Sequence, residues 1–394
     1  MQSPAANKPP VAGHNAPPDH LAPVYAQFPL EVVDAQGVFL NTPDGRRVLD
    51  LYGGHAVAAL GYGHPRWLAA LTNQAKALAF QSNAVPLDVR KRAATRLAKF
   101  CGLGLDTVFF INSGAEANEN ALKLALKITG RREVVAVEGS FHGRTAAAGA
   151  VTWGAQKKWY GFPQTPFDVK FIPRNDDAAA AAAITEKTGA VIVEPVQGVA
   201  GALDLPKGLL ETLRKRCNET GTVLIFDEVQ CGVGRTGHPF AANFYGVTPD
   251  MITTAKALGA GFPVSALLMS NAMAAHLHVD DLGTTFGGGP MACAMVEAVV
   301  DIIETENLLE NVRLRSAEIR ERCIVGPVTA VQGAGFLLGL RTTRPAKDVQ
   351  AALLKQDILT GTSGDPHVVR ILAPYVLQSE HVEMLRAALL RIEQ

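Results

Sequence analysis

Short runs of β-branched and aromatic residues alternate with longer segments of helical character along the middle of the chain, and this alternation most constrains the fold. The runs are largely apolar, which is typical of strands that are buried on both faces of a sheet. Helix-length segments separate most of them, so we expect a mostly parallel sheet covered by helices, an α/β fold that binds ligands at the carboxyl ends of its strands. The six runs are TVFFI (107–111), EVVAV (133–137), AVIVEPV (190–196), TVLIF (222–226), MITTA (251–255) and VSALLMS (264–270).

The two ends of the chain differ from this pattern. The N-terminal part resembles a small hairpin unit, and the C-terminal part has a long helix, short strands and a final amphipathic helix. Because 394 residues exceed one simple core, we expect the ends to form a second, smaller α+β domain. The predicted division is a disordered arm over 1–24, small-domain segments over 25–60 and 291–394, and a large domain over 61–290.

The composition excludes several classes of partner. The chain has 37 basic and 37 acidic residues, so no basic surface for nucleic acid or acidic lipid is expected. Five cysteines without CxxC spacing argue against a disulfide framework or a zinc site and fit a reducing cytosol. Neither a signal peptide nor a transmembrane helix is expected. The chain is therefore predicted to be a cytoplasmic protein that acts on small molecules.

Two charged features stand at predicted strand ends. Asp227 and Glu228 end an apolar run, as acids do in magnesium-dependent nucleotide hydrolases, but the chain lacks the Gly-Lys-Ser or Gly-Lys-Thr of a phosphate loop. A plain cap of the following turn is the other alternative. Lys256 is the one charged residue in TTAKALGAGFP. Apolar surroundings favour its neutral amine, which can attack a carbonyl, although a lysine that reaches solvent is commoner.

The segment INSGAEANENALKLALKITG predicts a helix that begins after a short loop and ends at Gly130. Free amide groups of Gly114 and Ala115, with the Ser113 hydroxyl, would bind a phosphate at the helix N-terminus. A Ser113 cap completed by Glu116 is a structural alternative that is compatible with phosphate binding. A phosphate site, a strand-end acid and a desolvated lysine together suggest pyridoxal 5'-phosphate, whose aldehyde a lysine holds as an imine.

Six motifs resemble, in order and spacing, those of the class III aminotransferases, and the length is similar to that of the acetylornithine and succinylornithine branch. The resemblance runs from about Val32 to the end of the chain. It implies a fold type I pyridoxal-phosphate transferase that works as a homodimer with active sites at the subunit interface. The motifs are SGAEANENALKLA, SFHGRT, VEPVQG, FDEVQCGVGRTG, TTAKALGAGFP and TTFGGGPMACA.

The resemblance also implies roles for individual residues. Lys256 would hold the cofactor and shuttle a proton, and Asp227 would pair with the pyridine nitrogen. The arginines would bind substrate carboxylates through their planar forks, although each has a structural ion pair as its alternative. The remaining implied contacts are Val229 and Phe141 on the ring faces, Gln230 at the ring hydroxyl, Ser113, Gly114, Ala115 and Thr285 of the other subunit at the phosphate, and Arg144, Arg370 and Gly54 at the substrate.

Three positions depart from the family pattern. Many relatives have a glutamate after Gln-Gly where this chain has Val199, and a valine cannot neutralise Arg370. His55 replaces a common isoleucine and is expected near the pocket mouth, and Gly289 replaces the asparagine of the usual GGNP. We expect an aminotransferase that uses an amino acid or an N-acetylornithine-like donor and a 2-oxo acid. Alternatives are an alanine-glyoxylate or omega-amino acid:pyruvate aminotransferase, a racemase, mutase or decarboxylase of the same fold, and a silent homologue.

Overall fold

The computed structural model describes residues 20–393, and its centre is a seven-stranded sheet. One strand, Ser265–Met269, runs antiparallel to both of its neighbours, and the other pairs in the sheet are parallel. The predicted mostly parallel sheet is therefore confirmed. In spatial order the strands are Thr107–Ile111, Ser265–Met269, Met251–Thr254, Val223–Asp227, Thr188–Val193, Glu133–Val137 and Asp168–Ile172.

All six predicted runs contribute strands to this sheet. The seventh strand, Asp168–Ile172, lies at the sheet edge and alternates exposed with less exposed residues, so it lacks the continuous apolar pattern of the others. The predicted run 190–196 is interrupted after Val193, since Pro195 has no amide hydrogen for the sheet. This break leaves Glu194 at the carboxyl end of a central strand.

Helices cover the sheet and connect its strands. The helix predicted after the Ser113 loop spans Gly114–Thr129 and ends at Gly130, whose φ of +66° is easily adopted by glycine. The longer helices are Pro65–Ala77, Asp88–Cys101, Gly114–Thr129, Lys207–Thr220, Pro290–Thr305, Leu308–Arg322, Ala346–Leu354 and Ser379–Leu390. The shorter ones are Ala146–Ala150, Ala155–Lys158, Asp177–Ala183, Ala241–Tyr245, Asn271–Ala274 and the 3-10 turn Lys256–Leu258. No helix within residues 20–393 is long and apolar enough to cross a bilayer.

The two chain ends meet in one sheet. Ile358–Leu359 pairs in parallel with Arg47–Asp50, which continues the N-terminal hairpin formed with Phe39–Asn41 and Asp34–Gln36. A second C-terminal sheet contains Val328–Ala334, Leu337–Thr342, Val368–Ile371 and Gly361–Thr362, and a two-stranded ribbon joins Val196–Gln197 to Leu203–Asp204. The domain boundaries stay a prediction, and most of the predicted arm lies outside the described residues.

A turn at residues 53–56 has an unusual backbone. Gly53, Gly54, His55 and Ala56 all have φ between +55° and +69°, which is unfavourable for the two residues with side chains. The buried Asp50 carboxylate stabilises the turn, because its Oδ1 accepts hydrogen bonds from the amides of residues 52 and 53 at 2.8 and 2.9 Å. The surrounding structure thus fixes a backbone that would be strained in isolation.

A fully buried guanidinium connects this turn to the rest of the molecule. Arg235 donates to the carbonyl oxygens of Ala56, at 3.0 Å, and of Ala373. Its guanidinium carbon lies 4.6 Å from the ring centroid of Tyr375, and no carboxylate within residues 20–393 forms an ion pair with it. Burial lowers the pKa of Arg235. The side chain therefore links the GRTG loop to both ends of the chain.

Candidate active site

A cavity of about 400 Å³ lies at the carboxyl ends of the central strands, where the sequence predicts a ligand site. Eight of the predicted site residues contribute to its wall, and they come from four separate motifs. These residues are Ser113, Gly114, Ala115, Phe141, Asp227, Val229, Gln230 and Lys256.

Asp227 is buried at the end of its strand and is held by three donors or partners. Its Oδ2 accepts a hydrogen bond from Asn118 Nδ2 at 2.7 Å and lies 2.7 Å from His142 Nδ1. Its Oδ1 accepts from the amide of Val229 at 3.0 Å. Asn118 is itself oriented by the hydroxyl of Thr253, at 2.6 Å. These contacts fix the direction of the carboxylate, so that it presents a fixed negative charge to the cavity.

Sequence reasoning missed the supporting residues Asn118 and His142. Asn118 lies in the helix Gly114–Thr129 and His142 in the loop after Glu133–Val137, and the available signal was that they belong to the motifs SGAEANENALKLA and SFHGRT. The side chain of His142 is fully buried, and its Nε2 has no partner within the part of the chain that the structure describes. We infer that these residues orient Asp227.

Lys256 begins a short 3-10 turn in the cavity wall and has a φ of +47°, in the left-handed region. Burial lowers the pKa of its amine, against the opposing effect of the negative charges of Asp227 and Glu194. A lowered pKa increases the fraction of neutral amine at pH 7, which is the nucleophilic form. The environment expected for this lysine from its apolar sequence is present.

Glu194 is a second buried acid in the cavity wall that sequence reasoning did not single out. Its carboxylate accepts from the amides of Phe141, at 2.7 Å, and of Gly198, at 3.3 Å. Burial, together with the charge of Asp227, raises the pKa of Glu194 to about 7. Its place directly after a central strand, like that of Asp227 at the end of one, was the signal in the sequence.

Glu228, the neighbour of Asp227, has a structural role. Its carboxylate accepts hydrogen bonds from the amides of Ala241 and Ala242 at the start of a short helix, and burial raises its pKa to about 8. Glu228 therefore caps the helix that begins at Ala241, whereas Asp227 lines the cavity and also accepts from the amide of Val229 in the following turn, as the capping alternative expects.

The helix N-terminus at Ser113 has both the capping box and the free amide groups that its sequence suggests. Ser113 Oγ accepts from the amide of Glu116 at 3.2 Å, and Glu116 returns a carboxylate to the amide of Ser113 at 2.9 Å, so the capping box is present. The amides of Gly114 and Ala115 line the cavity and have no acceptor within residues 20–393. Two free donors at the positive end of a helix of 16 residues fit an anion such as phosphate.

Close contacts in the opposite wall fit a flat aromatic group with a hydroxyl. Gln230 Oε1 is buried and has no hydrogen-bond partner within the described residues, so it is available to a ligand. A Cβ at residue 198 would lie 1.6 Å from that oxygen, so a larger residue there would displace the Gln230 amide. A Cβ at residue 114 would lie 2.7 Å from Val229 Cγ1. The Gln230 oxygen, the acid, the amine and the anion site together match the ring hydroxyl, the ring nitrogen, the aldehyde and the phosphate of pyridoxal 5'-phosphate.

Four predicted residues lie outside this wall. Gly54 lines an adjoining cavity of about 380 Å³, and Thr285 is exposed on the surface. Arg144 is exposed and directly follows Gly143, which lines the first cavity. Arg370 is buried behind the wall, where it donates to the carbonyls of residues 362 and 198 at 2.7 and 3.2 Å.

Two of the departures from the family pattern, at residues 199 and 55, occupy different surroundings. Val199 lines the cavity, as the residue that replaces the family glutamate. His55 contacts the Tyr52 hydroxyl, and burial together with the positive charges of Arg370 and Lys256 lowers its pKa to about 4. The imidazole is therefore neutral at pH 7 and leaves the charge of Arg370 in place.

Known proteins resemble this chain over nearly its whole length. Acetylornithine aminotransferase of Rhodobacter capsulatus is 39% identical, with 94% of this chain and 98% of the relative covered. The enzyme of the same name from Streptomyces coelicolor is 42% identical, with coverage of 91% and 90%. The structure of ornithine aminotransferase from Toxoplasma gondii superimposes with a TM-score of 0.88 at 27% identity, covering 94% of this chain and 91% of that one.

A family model described as "Aminotransferase class-III" matches residues 21–392. The predicted fold type I transferase architecture and the predicted transaminase class are confirmed by this match together with the relatives and the structural neighbour. The chain belongs to the class III aminotransferase family.

Proposed function

We propose that this aminotransferase uses pyridoxal 5'-phosphate to move an amino group from an N-acetylornithine-like donor to a 2-oxo acid. Gly114, Ala115 and Ser113 would hold the phosphate, and Gln230 would hold the ring hydroxyl. When bound, the cofactor supplies an aldehyde that accepts amino groups and a ring that withdraws electrons. The ornithine aminotransferase of Toxoplasma gondii, which has the same fold, contains pyridoxal phosphate at its active site.

The residues of the chain supply binding and proton transfer around that group. Asp227, fixed by Asn118 and His142, provides a negative charge that keeps a proton on a ring nitrogen. Burial lowers the pKa of Lys256, which favours the neutral amine that can accept a proton from the substrate and return it. Asp227 and Lys256 would thus supply the acid-base chemistry at the wall of the cavity.

The proposed substrate class rests on Arg144 and Arg370, whose guanidinium groups have no acidic partner within the described part of the chain. Arg144 and Arg370 form no ion pair with a carboxylate within residues 20–393, although Arg370 is buried. The buried Arg370 is a desolvated cation and favours an anionic partner, and arginine binds carboxylates through two parallel hydrogen bonds. N-acetylornithine carries a carboxylate distant from its reacting amine, so Arg144 would bind this group. Arg370 would bind the carboxylate of the 2-oxo acid.

Val199 favours a second candidate, an aminotransferase that uses α-amino donors such as alanine with pyruvate or glyoxylate as acceptor. Because no acid stands beside Arg370 at this position, the guanidinium stays available to an α-carboxylate in both half-reactions. A panel of donors and acceptors distinguishes the candidates, and it includes N-acetylornithine, N-succinylornithine, ornithine, 4-aminobutyrate and alanine. Turnover of none of these donors would contradict both proposals.

Replacing Val199 with glutamate is expected to change donor choice. The new carboxylate would pair with Arg370 and compete with the α-carboxylate of the donor. Loss of one charge-assisted hydrogen bond is expected to weaken donor binding roughly 10- to 100-fold. Single-turnover measurement of the donor half-reaction should show this loss for alanine and not for N-acetylornithine. Val199→Gln has a similar size without the charge and is the matched control. An equal loss for both donors in Val199→Glu would show that the position does not act through Arg370.

We also propose a homodimer in which Thr285 of one subunit contributes to the phosphate site of the other. Thr285 is exposed in the single chain, and next to it Phe286 forms an exposed aromatic pair with Phe80 at a centroid distance of 5.3 Å. Exposed aromatic pairs of this kind are typical of interfaces. The five cysteines are buried and unpaired, which supports a cytosolic location for the dimer.

A mixed dimer tests this arrangement. Thr285→Ala should raise the cofactor concentration at half-saturation, because it removes one donor to the phosphate. In a heterodimer with Lys256→Ala, isolated by two affinity tags, the single active site should regain wild-type cofactor affinity, since its threonine comes from the other subunit. If the defect persists in that heterodimer, the threonine acts within its own chain. Sedimentation as a single chain would also contradict the proposal.

A further inference from the structure

Arg144 has an aromatic partner where an acidic one is usual. Its guanidinium carbon lies 4.8 Å from the ring centroid of Trp159, within the range of a cation–π interaction. Trp159 is half-buried and packs against a core cluster, whereas Arg144 is exposed beside the cavity. The ring therefore provides a fixed surface beneath a side chain that would otherwise be free to rotate.

The nearby acid Glu119 already accepts hydrogen bonds from groups other than Arg144. Glu119 Oε1 accepts hydrogen bonds from the hydroxyl of Thr145 and from the amides of Ala147 and Ala148, the latter two at 2.6 and 3.1 Å. The carboxylate thus caps the short helix that follows Arg144. Glu119 is directed towards these groups, and among the described residues no ion pair joins it to Arg144.

The Trp159 ring is itself held against that short helix. A Cβ at Gly149 would approach Trp159 Cζ3 to 3.5 Å and the Tyr160 ring to 3.0 Å, so the helix presents a flat face to both rings. The hydroxyl of Tyr160 donates to the carbonyl of Ala146 at 2.6 Å. Arg144 and its aromatic support are therefore attached to the same helix.

We propose that Trp159 is a positioning residue that holds the Arg144 guanidinium ready for the distal carboxylate of the amino donor. Stacking uses the face of the guanidinium, and its N–H donors lie in the plane, so the edge that binds a carboxylate stays free. An ion pair with a protein acid would occupy the same edge. The inference rests on the proposed function, because it requires Arg144 to bind a substrate carboxylate.

The test compares N-acetylornithine with N-acetylputrescine, which has the same chain without the carboxylate. Trp159→Leu is expected to raise the KM for N-acetylornithine about three- to tenfold, the range of an exposed to partly desolvated cation–π contact, with kcat unchanged. The KM for N-acetylputrescine and the cofactor concentration at half-saturation should stay as in wild type. Trp159→Phe, which keeps a ring, should recover part of the loss. Trp153→Leu is the matched control, because Trp153 is an exposed tryptophan that packs on Phe171.

A double-mutant cycle with Arg144→Gln separates the two proposals. In the Arg144→Gln background, Trp159→Leu should have no further effect on the KM for N-acetylornithine. Equal increases in KM for both donors, or additive effects of the two substitutions, would overturn the positioning role. If Arg144→Gln weakens N-acetylornithine and Trp159→Leu does not, the inference fails and the proposed function stands. If Arg144→Gln has no effect on either donor, or N-acetylornithine is not a substrate, the proposed function itself fails.

Discussion

Replacing Lys256 with alanine is expected to lower kcat by roughly 10⁴-fold or more, since the variant loses both the nucleophilic amine and the proton carrier. No other lysine lines the cavity among the described residues, so no neighbouring amine can take over. The visible absorbance of the lysine-bound cofactor should be lost as well. Steady-state assay of amino acid formation and an absorbance spectrum of the purified variant measure the two effects.

Lys215→Ala is the control for this experiment, because the Lys215 side chain is 76% exposed and contacts only Glu219 at 3.9 Å among the ion pairs of the described residues. It should match the wild type in turnover and in colour. Appreciable transamination by Lys256→Ala, at more than about one hundredth of the wild-type rate, would contradict the catalytic role, since general acid-base catalysis alone is worth about 10²- to 10⁴-fold.

The second large effect is expected at Asp227. Asp227→Asn keeps the size of the side chain and removes the charge that holds a proton on the ring nitrogen. We expect kcat to fall roughly 10²- to 10³-fold, the usual result of losing one preorganised electrostatic contact in an active site. Measurement of kcat at saturating cofactor separates this effect from weaker cofactor binding.

Glu228→Gln is the matched control for Asp227→Asn. It also replaces a buried acid of the same motif by an amide of the same size, but Glu228 contacts backbone amides of a short helix and does not line the cavity. The Gln variant should change the melting temperature more than kcat. A kcat for Asp227→Asn within about threefold of wild type would be inconsistent with an electrostatic role worth 10²-fold.

Much of the fold was predictable because buried parallel strands have a strong local signal. Continuous apolar runs identified six strands, and the seventh was missed because Asp168–Ile172 at the edge has charged residues on its exposed positions. The helix after Ser113 was predicted with its end at Gly130, since a capping serine and a terminal glycine are both local signals. The left-handed turn at residues 53–56 was not predicted, because in addition to the local hydrogen bonds of Asp50 it depends on the distant contact of Arg235 with the Ala56 carbonyl.

The active-site residues also divide into those that the sequence predicts and those that it does not. Asp227, Lys256 and the Ser113 loop were predicted from residue type and strand position, and the structure places them around one cavity. Asn118 and His142 were missed, because the distance between them and Asp227 is set by packing of three separate segments and leaves no periodic signal. The aromatic support of Arg144 could not be predicted either, since nothing in the sequence shows that residues 144 and 159 stack.

The buried Arg235 also restricts the relative movement of the chain segments that it joins. Its hydrogen bonds reach the turn at residues 53–56 and the carbonyl of Ala373 from a loop that continues the strand of Asp227. Pulling these segments apart would strand a cation in an apolar interior, a penalty of several kcal/mol. The relative positions of the GRTG loop, the turn at residues 53–56 and residue 373 are therefore fixed around one buried cation.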